Sequence, residues 1–184
     1  MTPTDTTDPT KYIARAKALV PLLRENATEH PLAVSESTSP SKGARSEALS
    51  LFNIWYHAHQ TFNYESLGNV LSPDVEIHSL FSRRPVAGRI SALKHFRTTV
   101  SRFSEFAMPL VSPPAANGHQ TAFAEVDFTG RFSGELTWRG TTHKGKHQPF
   151  RVPGVIILHT TETNVSSVKT LFDRDDWLCQ IDIE

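Results

Sequence analysis

Residues 124–136 read AEVDFTGRFSGEL, and the architecture turns on how this stretch is arranged. Its first half alternates Ala124, Val126 and Phe128 with Glu125 and Asp127. Side chains on a strand point to opposite faces in turn, so the two carboxylates share one face and the apolar residues the other. Its second half is a Gly130-x-x-x-Gly134 turn followed by a third acid, Glu135. Glycine-rich phosphate loops open into a helix. This turn does not, so the phosphate-loop reading fails. The alternation alone leaves open whether Glu125 and Asp127 face an interior or solvent.

Strands dominate on both sides, at 105–111, 119–132, 135–142, 149–159 and 165–173. Pro113-Pro114 and Asn117-Gly118 mark a connection among them. Helical spacing comes earlier. Over 44–62, Ala48, Leu51, Phe52, Trp55, Tyr56 and His59 recur at helical intervals and form one broad apolar face. NYESLGNVL predicts a short helix ended by Pro73, DVEIHSLF (74–81) a strand, and RRPVAG a turn. Residues 89–103 predict a third helix carrying Ile90, Leu93, Phe96, Val100 and Phe103. Helices first and strands afterwards give α+β: helices laid on one face of a mostly antiparallel, strongly curved sheet. Such a sheet, closed by helices, makes a cone with an internal pocket unless large side chains fill it.

The domain is expected at 44–184, preceded by an N-terminal arm over 1–43. The arm reads as a disordered start, a short helix over 11–25 that Pro21 divides, and a polar Ser/Thr/Pro linker. The chain has 184 residues, with 19 Lys+Arg against 19 Asp+Glu. That balance leaves no electrostatic footprint for nucleic acid or an anionic membrane. One cysteine, Cys179, excludes an intrachain disulfide. With no apolar leader and no membrane-length run, the reading is a cytoplasmic protein.

Four strings, in order, resemble the SnoaL-like branch of the nuclear transport factor 2-like superfamily, to which limonene epoxide hydrolase is related. LSPDVEIHSLF resembles its first strand, and VAGRISALKHF its turn into a helix. VDFTGRFSGEL resembles its long central hairpin, and FRVPGVIIL with LFDRDDWLCQI its closing strands. The resemblance covers residues 44–181. It implies a cone-shaped α+β barrel, a small-molecule substrate, a homodimer joined through the exposed sheet face, and cofactor-independent proton-transfer chemistry in polyketide or terpenoid secondary metabolism. Two departures bear on chemistry. The family's last-strand carboxylate falls at Thr170, and the Arg of the hydrolase Arg-x-Asp pair is missing beside Glu125 and Asp127.

The candidate catalytic residues are Asp127, Glu125 and His78. Facing inward, the two acids would repel, and burial would raise at least one pKa into general-acid range. Facing outward, they would leave Ala122, Ala124, Val126 and Phe128 to pack inward. Imidazole exchanges protons near neutrality, so His78 serves as proton partner, or else simply bonds a neighbouring strand. On the main helix, Tyr56 and His59 are candidates to orient a substrate oxygen; a core Tyr with a satisfied hydroxyl is the plainer alternative. The resemblance places Phe150, Val152, Thr170 and Phe172 along the cavity, and Trp138 at its mouth or at a dimer interface. His57-x-His59 and His143-x-x-x-His147 lack a closing ligand set, so no metal is expected.

Overall fold

The computed structural model describes residues 42–183 apart from His119, with the side chains of 42–46 outside that description. The short helix and linker expected in the N-terminal arm lie outside the described residues.

Helix α1 (Lys42–Gln60) forms where apolar residues recur at helical spacing. Ala48, Leu51, Phe52 and Trp55 are buried along one stripe, and His59 ends it. Helix α2 (Tyr64–Val70) starts at Asn63, whose Oδ1 accepts the Ser66 N–H at 3.0 Å. Strand β1 (Leu71–His78) follows directly. The helix therefore ends before Pro73, which sits inside β1 where the register shifts between Leu71 and Glu76. Proline has no N–H to give a ladder, and a bulge tolerates that loss. The stretch expected as a turn contains a two-residue strand, β2 (Val86–Ala87), paired with β1.

Helix α3 (Arg89–Val100) buries Ala92 and Phe96. Ile90, expected on that face, is 85% exposed. Two residues at about 100° each carry it round to the far side from Ala92. After β3 (Phe103–Ala107) and β4 (Ala115–Asn117) comes the long β5 (Thr121–Phe132). The single strand expected over 135–142 is instead a hairpin, β6 (Glu135–Trp138) and β7 (Thr141–Lys144). It turns at Arg139-Gly140, with φ of 48° and 84°, as a two-residue turn with both central φ positive requires. Strands β8 (Gln148–Thr160) and β9 (Val165–Phe172) complete the main sheet. The last helix, α4 (Arg174–Gln180), was not expected. Asp173 caps it, Oδ1 accepting the N–H groups of Asp175 and Asp176, both at 3.0 Å.

The sheet runs β2-β1-β9-β8-β5-β3, with β4 also on β5. Every pairing is antiparallel except β1 with β9. It is strongly curled into a half-barrel. Register shifts in β1, in β3 between Ser104 and Ala107, and in β8 at His159–Thr160 supply local twist. Glu105, at the β3 shift, has φ 57°.

The β5–β8 ladder fixes the faces around the opening stretch. Ala122, Ala124, Val126 and Phe128 are buried, together with Val152, Ile156 and Leu158 opposite. Glu125 and Asp127 are on the other face. The outward register is the one adopted because four apolar side chains gain burial against α1 and the rest of the core, where the inward register would bury two like charges.

Candidate active site

A cavity of about 180 Å³ lies between the C-terminal end of α1, α3, the end of β1 and the first half of β8. Its walls are aromatic. Phe103 stands 5.2 Å from Phe150 and 5.9 Å from Trp177, ring centre to ring centre. Trp177 in turn lies 5.3 Å from Phe81 and 6.3 Å from Phe172. Edge-to-face pairs of this kind hold each ring's orientation. Gly130 is needed for the arrangement, since a Cβ there would come within 2.9 Å of the Phe150 ring.

Helix α4 brings Trp177 to the wall. Pairing between β8 and β9 begins at Gly154 and Phe172, so the first half of β8 has a free edge. Gln180 covers it, accepting the Arg151 N–H at 2.8 Å and donating to the Arg151 carbonyl at 3.1 Å. Pro153 fits the same edge. Its partner Asp127 donates its N–H to Pro109 O, away from β8, so no ladder bond is lost at the pair.

The polar groups of the cavity are few. His59 is 9% exposed and lines it. Its ring is held by Trp55 at 5.2 Å, Phe96 at 5.3 Å and Phe106 at 6.3 Å. Burial pushes its pKa down to about 4, so it is neutral at pH 7. Its Nδ1 is buried without a hydrogen-bond partner. His95, from α3, also lines the cavity, and its pKa is lowered first by burial and then by the charge of Arg102. Arg102 lies between α3 and β3, and Ser79, Thr99 and Thr170 add hydroxyls. Among the described residues lining the cavity there is no Asp or Glu.

The sequence candidates separate into two groups. His59, Phe150, Val152, Thr170 and Phe172 stand in the wall. His78 touches the rim at the end of β1, but it pairs with Lys169 across the sheet and shares its face with Glu76, Nε2 to Oε2 3.3 Å. Asp127 and Glu125 lie outside the cavity. Asp127 is held on the outer face by Arg151, whose Nε and Nη2 donate to Oδ2 at 3.1 and 2.5 Å. Tyr56 is also outside. Its hydroxyl donates to Met108 O at 2.7 Å and accepts from Gln60 at 2.9 Å. Trp138 is not among the lining residues; its ring packs against that of Phe81, which is, at 6.1 Å, with Arg139 and Arg174 over it.

His95 and Arg102 were absent from the sequence candidates. The signal for His95 was present: Ala92, His95, Phe96 and Thr99 follow helical spacing on α3. A helix whose inner stripe is half polar is hard to read by hydrophobicity alone: Phe96, Val100 and Phe103 were placed correctly, but the polar members of the stripe went unmarked and only Ile90 was misplaced.

No family model matches the chain, and no curated protein matches its sequence. Solved structures do. One is a Shewanella putrefaciens protein provisionally named a SnoaL-like polyketide cyclase, 14% identical over 73% of this chain and 96% of that one, TM-score 0.59. Another is an LEH-like epoxide hydrolase of M. tuberculosis, 11% identical over 74% and 90%, TM-score 0.57. A third is a hypothetical protein of ketosteroid isomerase-like fold from Catenulispora acidiphila, in complex with trimethylamine, 17% identical over 73% and 93%, TM-score 0.58. At these identities the likeness is one of fold: this chain has the cone-shaped, ketosteroid isomerase-like α+β fold that these structures share.

Proposed function

We propose that the chain is an acid/base enzyme acting on a small, mostly apolar, oxygenated molecule held in the cone, with isomerisation, cyclisation or epoxide opening as the reaction class. The observation that carries this reading is the pair of imidazoles, His59 and His95, in the wall of a mostly apolar cavity that His78 and Arg102 also line. A buried ring nitrogen without a partner is costly, and a ligand oxygen would satisfy it. An apolar cavity of about 150 Å³ holds benzene, so about 180 Å³ suits a single substituted ring.

The two imidazoles divide the work by burial. A neutral imidazole donates from one nitrogen and accepts at the other. His59, with its pKa near 4, is a weak base; its role is to hydrogen-bond and polarise a substrate carbonyl. His95 is half-buried and takes the proton from the adjacent carbon. The C–H electron pair moves into an enolate on the polarised oxygen. Where a C=C adjoins that carbon the enolate is a dienolate, and return of the proton to its far carbon moves the double bond and completes an isomerisation with no co-reactant. Secondary metabolism is the setting the resemblance implies.

Monocyclic ketones incubated with the protein in D2O test the reading. Deuterium gained beside the carbonyl, read by mass spectrometry, is expected to exceed buffer and to drop at least about tenfold in His95→Gln. No exchange above buffer for any ketone, or full exchange in His95→Gln, rejects it. The second reading, a noncatalytic binding module, draws on the lack of carboxylates in the cavity lining; tight binding without exchange favours it.

A further inference from the structure

Several arginines of the domain are engaged with a carboxylate, a carbonyl or a ring. Arg131 pairs with Glu105, Arg151 with Asp127 and Arg174 with Asp175. Arg89 donates to the Leu71 carbonyl, and Arg139 lies over Trp138. Arg102 differs. It is half-buried and lines an apolar cavity, yet its guanidinium has no hydrogen-bond or ion-pair partner among the described residues. A guanidinium's planar fork matches the two oxygens of a carboxylate or phosphate, so an unpaired one at the wall of a cavity is suited to hold such an anion.

Its backbone is fixed. The Arg102 carbonyl accepts the N–H groups of Ser133 at 3.0 Å and Gly134 at 2.9 Å, and its own N–H donates to Thr99 O at 3.2 Å. Gly134 makes the approach possible, since a Cβ there would stand 2.8 Å from the Arg102 Cα. The Ser133–Gly134 link between β5 and β6 and the end of α3 thus hold an unpaired cation at the wall of a cavity whose lining supplies no counter-charge.

We propose that the molecule bound in this cavity carries a carboxylate, placed against Arg102, on a compact apolar ring body. The inference rests on reading the cavity as a substrate site. Charge and size support it together. A carboxylate supplies the missing counter-ion and can accept two parallel N–H bonds from the guanidinium. The aromatic walls suit the ring, and the cavity volume limits it to about one. The proposal also divides the cavity: Arg102 holds the anionic end, leaving His59 to meet a second oxygen.

The test compares 4-oxocyclohexanecarboxylate with its carboxamide, nearly the same shape without the charge, by calorimetry on the full chain. The acid is expected to bind at least about tenfold more tightly. Arg102→Met is expected to abolish that preference while leaving carboxamide affinity within about twofold. The wild-type comparison stands even if that variant fails to fold. Equal binding of the two probes, or a preference that Arg102→Met retains, overturns the anion site. Loss of deuterium exchange at the ring ketone with the preference intact overturns the proton-transfer reading alone. No binding of either probe overturns both.

Discussion

Arg151 and Asp127 are diagonal neighbours across β8 and β5, and the guanidinium holds the carboxylate on the convex side of the sheet, Nη2 to Oδ2 2.5 Å. The acid that stood out most in the sequence is thereby placed outside the cavity. Asp127→Asn is expected to leave ketone exchange and ligand binding unchanged. Arg151 is 75% exposed and Asp127 15%, so water screens the pair, and its loss should cost about 1 kcal/mol or less. A fall in exchange of tenfold or more in Asp127→Asn, with the fold intact by circular dichroism, would return Asp127 to the catalytic candidates.

Much of the fold was legible because local signals and packing agreed. The Ala48–Leu51–Phe52–Trp55 stripe named the buried face of α1, whereas the alternation through Ala122–Phe128 gave the strand and left its inner face open until the β5–β8 pairing fixed it. The site was less legible, because its residues converge from distant segments. His59, His95, Arg102 and Trp177 come from α1, α3, the α3–β3 junction and α4. No short motif ties them together. The helix α4 was missed because the last strand was carried through 165–173 and no apolar periodicity marks the seven residues after it, although Asp173 is a capping residue type and does cap the helix.

That cap makes a second prediction. Asp173 satisfies two N–H groups at the start of α4, and α4 carries both Trp177 and Gln180. Asp173→Ala should cost about 1 kcal/mol of stability, within a range of roughly 0.5–2 kcal/mol. Because Trp177 lines the cavity, ligand affinity should fall with it. Urea unfolding followed by tryptophan fluorescence measures the first effect and calorimetry the second. Unchanged stability would show that the Gln180 clamp on Arg151 holds α4 unaided.

The convex sheet face carries exposed Phe123 and Leu171. Register places Ile157 beside Phe123 and Val155 beside Leu171, so the four form one apolar band across β5, β8 and β9. The homodimer that the fold resemblance implies is expected to bury this band. Light scattering should give twice the chain mass, and Phe123→Lys with Leu171→Lys should give a monomer that still binds ligand in its cavity. A monomeric unaltered chain at tens of micromolar would remove the expectation.

His59 sets a pH dependence whose sign follows from burial. Its folded pKa is depressed to about 4, below the value near 6.5 of an unfolded histidine. Between those values the unfolded chain holds the proton and the folded chain does not, so acid favours unfolding. The stabilising share is fully present above pH 6.5 and is lost as the pH falls towards the folded pKa. Linkage puts the loss at about 2 kcal/mol by pH 5 and about 3 kcal/mol by pH 4. His95, lowered in the same direction, adds to it. His59→Phe keeps an aromatic ring among Trp55, Phe96 and Phe106 and removes the titrating group. Denaturant unfolding at pH 7.5 and pH 5 should therefore show a smaller acid loss in His59→Phe than in the unaltered chain, by about 2 kcal/mol. Parallel curves for the two proteins would mean that the imidazole is solvated in the folded state, and the neutral hydrogen-bonding role assigned to His59 would fall with that result.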